Sequence, residues 1–250
     1  MDELFLPGVP ANQIKQAFAS APGKEISGGN FARPVSSAAL AANAFGFFLN
    51  RPGDIPLPPE CDGETVCSLS IETPVRFPWI RACHPWLDVL IVTDRAFIGV
   101  ESKRFEPFQQ KRSPGEFRES HRWPKWGDNM KGYERIRDQH PDKDFSHLDV
   151  AQLVKHAFAL RTERQECPEL RPVLWYLYAE PECWPKDARP ISDMEKRAHR
   201  KEIARFAEIV AADEVRFLSC SYRDLLAHWS AHGLPDVRDH AGRVLERFSP

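Results

Sequence analysis

The fold turns on one stretch: Leu87-Asp88-Val89-Leu90-Ile91-Val92-Thr93, then Asp94-Arg95, then Ala96-Phe97-Ile98-Gly99-Val100-Glu101-Ser102-Lys103. Two branched, apolar runs separated by a short polar pair predict an antiparallel hairpin with Asp94-Arg95 at its tip. Side chains alternate along a strand, so Glu101 and Lys103 project from one face and Gly99 leaves room one step back. Closing the hairpin at Asp94 sets Asp88 opposite Glu101. Two carboxylates at one sheet position repel each other unless a cation lies between them. A hard divalent ion suits such oxygen ligands, Mg²⁺ first and Mn²⁺ as its substitute, with the Ser102 backbone carbonyl as a further candidate ligand. The plain alternative is a surface ion pair of Glu101 with Lys103, and an Asp88 that only ends a loop. Val89, Leu90, Ile91, Ile98 and Val100 speak for central strands instead, where an unpaired acid is costly and chemistry is the better reason to keep it.

Upstream, residues 1–33 are punctuated by Pro and Gly around one short helical pattern and read as an N-terminal arm. Ser36 and Ser37 supply a cap for residues 38–49, a run so apolar on all sides that it predicts a buried helix. A proline-rich loop over residues 50–63 leads to a strand over 66–71. Downstream, helical patterns occupy residues 126–139 and the stretch after Ser146-His147-Leu148-Asp149, which has the form of a capping box. A strand over 172–178, a proline-rich connector, a second capping box at Ser192 and Glu195, a strand over 215–220 and a helical tail complete the order. The expected fold is α/β, a mixed sheet flanked by helices. Residues 34–181 form its core, and residues 182–250 a C-terminal α/β extension packed on the same domain.

Asp88 at the start of one strand and Glu101-Ser102-Lys103 at the end of the next resemble the active site of the PD-(D/E)XK nuclease superfamily, in a restriction-endonuclease-like member. The element order from about residue 32 to residue 179 is similar too. Pro85 stands three residues before Asp88 rather than beside it, and the first helix offers no acid. The resemblance implies a restriction-endonuclease-like core and metal-dependent hydrolysis of DNA phosphodiesters. Asp88, Glu101 and Lys103 would be catalytic, and Asp88, Glu101, Ser102 and Glu72 would serve the Mg²⁺. Gln152 and His156, four apart, are similar to a Gln-x-x-x-Tyr motif of exonuclease-like members, with His in place of Tyr. An ordinary solvated helix face is the preferred reading of that pair.

The whole chain carries a net charge of −2, so attraction for nucleic acid must be local. Residues 103–137 hold ten Lys or Arg against five acids, interleaved with Phe, Trp and Tyr, a combination suited to phosphate contact and base stacking. Arg104, Lys111, Arg112, Arg122, Lys125 and Trp126, with Gln152 and Lys155, are the expected DNA contacts. Cutting both strands of a duplex with one site would favour a homodimer or sequential nicking. The start lacks a basic, apolar leader and no run is long enough to span a bilayer, so a cytoplasmic protein without membrane contact is expected. Six cysteines without a C-x-x-C pair read as reduced, mostly buried thiols rather than a zinc site. Two other classes stay open: a non-cleaving nucleic-acid-binding module of the same fold, and a protein-interaction domain.

Overall fold

The computed structural model describes residues 4–77, 84–109, 117, 128–139 and 145–250. Its strands are β1 (Val66–Pro74), β2 (Trp86–Thr93), β3 (Ala96–Lys103), β4 (Arg171–Tyr178) and β5 (Arg216–Ser221). They form one mixed sheet in sequence order. The first three make an antiparallel meander, and β4 and β5 then add in parallel. The helices are α1 (Ala11–Ser20), α2 (Ser37–Gly46), α3 (Lys131–Gln139), α4 (Val150–Glu166), α5 (Asp193–Val210), α6 (Tyr222–His232) and α7 (Pro235–Phe248). Parallel neighbours need a crossover; α4 lies in the connection from β3 to β4, and α5 in that from β4 to β5.

Alternation along the strands divides the core in two. Val89, Ile91, Ile98, Val100, Val173 and Trp175 face α1, α2, α6 and α7, whereas Leu174 and Tyr176 face α3, α4 and α5. The hairpin has the expected register, with Val89 opposite Val100 and Leu90 opposite Gly99. That ladder ends at Val89. Leu87, two residues earlier, packs into the opposite core from Val89, so strict alternation fails at Asp88. On β1 the neighbouring Glu72 adopts φ 50, between the paired Ile71–Val89 and Thr73–Leu87. The sheet therefore opens at the level of Glu72 and Asp88, a break that no periodicity announces.

Three sequence expectations need correction. Residues 4–33 are no loose arm: Phe5, Ile14, Phe18 and Phe31 are buried in the core around α2. Asn43, inside α2, accepts from Leu6 N at 2.7 Å and donates to Leu4 O at 3.2 Å, which pins the segment. The cap of α4 is Asp149, whose side chain accepts from Gln152 N at 3.0 Å. Ser146, His147 and Leu148 instead send their backbone N–H groups to the Glu202 carboxylate, so the Ser146 box does not form. Of the five described cysteines only Cys61 is buried, while Cys67 and Cys183 are exposed. The second capping box forms as read, Ser192 and Glu195 each accepting from the other's backbone N–H. Among the described residues no helix is long and apolar enough to cross a membrane.

Candidate active site

β3 carries Glu101 and Lys103 toward α4, beside Tyr176 and Tyr178 of β4 in the parallel ladder. Lys103 Nζ forms an ion pair with Glu101 Oε1, as their shared face requires. Lys103 O accepts from Ala179 N, so the backbone groups of the preceding residue, Ser102, turn the other way, toward β2. There the ladder has ended, and Ser102 N donates to Asp88 Oδ2 at 2.7 Å. The opening of the sheet thus leaves an amide that the Asp88 carboxylate satisfies. The Ser102 carbonyl faces the same gap by the same alternation. Its hydroxyl is occupied on the far face, 2.7 Å from Tyr222 Oη.

The electrostatics are those of crowded acids. Burial, reinforced by the Glu101 charge, pushes the Asp88 carboxyl up to about 8, against the pull of Lys103 and the Ser102 N–H. Burial likewise raises Glu101, with Lys103 opposing. Glu72 is pushed up to about 8 by burial and by the charges of Asp88, Glu101 and Glu25. Burial alone would lower the Lys103 ammonium, but Glu101, Glu106 and Asp88 outweigh it and hold it above its ordinary value. Ionised together, the three acids would carry more negative charge than Lys103 neutralises, and burial with this crowding is why Asp88 and Glu72 hold their protons up to about 8. A cleft of about 430 Å³ opens onto it, lined by Glu72 and Asp88 with Arg33, Ser37, Trp86 and Glu106. Glu101, 1% exposed, is not part of that lining.

Of the residues expected in the site, Asp88, Glu101, Ser102 and Lys103 are brought together, and Glu72 stands beside Asp88. Arg104, expected to meet DNA, is turned inward: it is buried, and its guanidinium donates to Pro34 O and Phe248 O. Lys155 lies over the Phe117 ring at 5.8 Å and Gln152 is half-buried. Lys111, Arg112, Arg122, Lys125 and Trp126 lie outside the described residues. His156 corrects the solvated-face reading of α4, being 2% exposed with Nδ1 3.2 Å from Glu101 Oε2. Burial pushes its imidazole down to about 3, with Lys103 adding to the effect.

Sequence reasoning missed Glu106. Its carboxylate accepts from Arg104 N, Phe105 N and Ser37 Oγ, closing the turn after β3 onto the start of α2. Only its position three residues beyond Lys103 hinted at it.

Among the described residues no group of three or more His, Cys, Asp or Glu side chains is gathered to hold a metal. The opening presents the Glu72 and Asp88 carboxylates and the Ser102 carbonyl, with the buried Glu101 carboxylate beside them, all hard oxygen donors. That set suits Mg²⁺, which keeps several waters and takes one or two carboxylates plus substrate phosphate, better than Zn²⁺, which favours N and S ligands. Comparison with known proteins finds no matching family model, no matching curated protein and no matching solved structure.

Proposed function

We propose that this chain is a metal-dependent nuclease with a restriction-endonuclease-like core that hydrolyses phosphodiester bonds of DNA. One observation carries the reading: the Asp88 carboxylate bonded to Ser102 N beside the Glu101–Lys103 pair, where β2 parts from β3 next to an open cleft. Two acids crowded so that Asp88 is pushed up to about 8 beside a charged lysine are poorly explained as scaffolding, because burying ionisable groups against one another is destabilising.

In this reading Asp88, Glu101 and the Ser102 carbonyl would hold Mg²⁺ or Mn²⁺, with Glu72 on its water shell. Such an ion, when bound, supplies Lewis-acid activation of a water and of the scissile phosphate. The chain's own contributions are positional and electrostatic. Lys103, kept protonated by its acidic neighbours, orients the attacking water and offsets the negative charge that grows on the phosphate oxygens. Asp88 is fixed by the Ser102 amide, so its carboxylate is already oriented in the free protein. The cleft lined by Asp88, Glu72 and Trp86 gives the strand a route to Asp88.

The test is cleavage of supercoiled plasmid and of linear single-stranded DNA with Mg²⁺, Mn²⁺ or EDTA. Metal-dependent nicking that disappears in Asp88→Asn and in Lys103→Ala is the expected result. Wild type that is inert with every metal, yet retards DNA in a salt-sensitive way, would replace the nuclease with a binding module of the same fold.

A further inference from the structure

α4 turns an apolar surface to the sheet, with Leu153, Val154, Ala157 and Leu160 all buried. His156 is buried with them, and an imidazole in such surroundings is destabilising unless a polar group meets it. Its Nδ1 lies 3.2 Å from Glu101 Oε2, within hydrogen-bond reach, yet the two are not aligned for a hydrogen bond and Nδ1 has no other partner among the described residues. The other Glu101 oxygen, Oε1, is engaged by Lys103. Glu101 is therefore approached at both oxygens, by its own strand and by the crossover helix.

We propose that His156 is a positioning residue: its Nδ1–H donates to Glu101 Oε2, so that the carboxylate is held between α4 and Lys103 in one orientation toward the ion. The purpose of this clamp rests on the nuclease reading; the contact itself does not. A carboxylate fixed at both ends loses little freedom when a cation arrives, and groups that orient metal ligands typically change metal affinity by about 10- to 100-fold. The arrangement also demands one tautomer, with the proton on Nδ1. The 3.2 Å contact is long and misaligned for a hydrogen bond, so the proposed bond requires a small turn of the ring or carboxylate to close, as is common for site contacts before their ligand is bound.

Two measurements on the full chain test it. In ¹⁵N NMR of the metal-free protein labelled at histidine, the His156 Nδ1 signal should be that of a protonated nitrogen and should move in Glu101→Gln. A His156 protonated only at Nε2 overturns the proposal, whatever the enzyme does. Mn²⁺ affinity, read by electron paramagnetic resonance of the free ion, should fall at least about tenfold in His156→Phe. It should largely return in His156→Asn, whose amide nitrogen can stand where Nδ1 stood. Thermal unfolding separates folding from binding: variants that melt lower yet bind Mn²⁺ like wild type make His156 merely structural and overturn the proposal. Wild type that binds no Mn²⁺ and cleaves nothing overturns the nuclease reading and the positioning role with it. In that case the Glu101→Gln response still shows whether the two side chains meet.

Discussion

Asp88 and Glu101 stand close enough for the Glu101 charge to raise the Asp88 carboxyl, so a protein without metal carries electrostatic strain at this point. Replacing Asp88 by Asn removes a buried group whose ionisation is disfavoured and leaves an oxygen to accept from Ser102 N. Asp88→Asn in EDTA should therefore melt no lower than wild type while losing metal-dependent cleavage; a variant that melts clearly lower would argue that the Asp88 charge stabilises the fold. Added Mn²⁺ should raise the melting temperature of wild type and leave the variant unmoved, since only a state that binds the ion is stabilised by it. These residues were legible in sequence because they lie within one hairpin, where alternation and register relate position to position. His156 and Glu106 were not, since their partners come from elements distant in sequence and no local pattern encodes such contacts.

At the scale of elements, strands and helices followed the apolar periodicity closely, and the failures came where hydrogen bonds arrive from afar. Glu202 of α5 takes the three amides before α4, which displaced the expected Ser146 box. The Ser192 box is local, and it formed. Ser192→Ala should cost about 1 kcal/mol in urea unfolding, the usual worth of an N-cap, with no change in cleavage. The packing of α7 on α2 carries a pH dependence of its own. His240 Nε2 donates to Ala44 O at 3.1 Å and the ring stacks on Phe47 at 4.2 Å. Burial pushes this histidine down from 6.5 to about 4, its backbone hydrogen bonds opposing. The folded state thus prefers the neutral ring, and the unfolded chain binds the proton first as pH falls. Stability is complete above about pH 6.5 and is lost progressively toward pH 4, by about 3 kcal/mol at roughly 1.4 kcal/mol per unit. His240→Gln keeps a donor for Ala44 O and cannot titrate, so its urea midpoint should fall less steeply over that range. Parallel curves for the two proteins would place the acid sensitivity elsewhere.

Across the whole molecule, Arg104 joins what the sequence keeps apart. It follows Lys103 directly, and its guanidinium reaches Pro34 O ahead of α2 and Phe248 O at the end of α7. It also stacks over the Phe105 and Phe248 rings at 5.2 and 5.1 Å. A fork of fixed geometry is needed to meet two carbonyls and two rings at once, and lysine lacks one. Arg104→Ala leaves two carbonyls short of a donor and should lower stability by at least about 2 kcal/mol in urea unfolding; Arg104→Lys should recover little of it. The basic character of residues 103–137 suggested that Arg104 would touch phosphate, and if the chain binds DNA as proposed, the salt dependence of that binding separates the two roles. Each phosphate contact contributes a slope of about −0.9 to log K against log salt on duplex DNA. Arg104→Ala should keep the wild-type slope below its melting temperature, whereas Lys155→Ala should make it shallower by about 0.9. A shallower slope in Arg104→Ala would mean that the guanidinium leaves its two carbonyls to meet the strand, and that the entry to α2 and the end of α7 would be freed from β3 on binding.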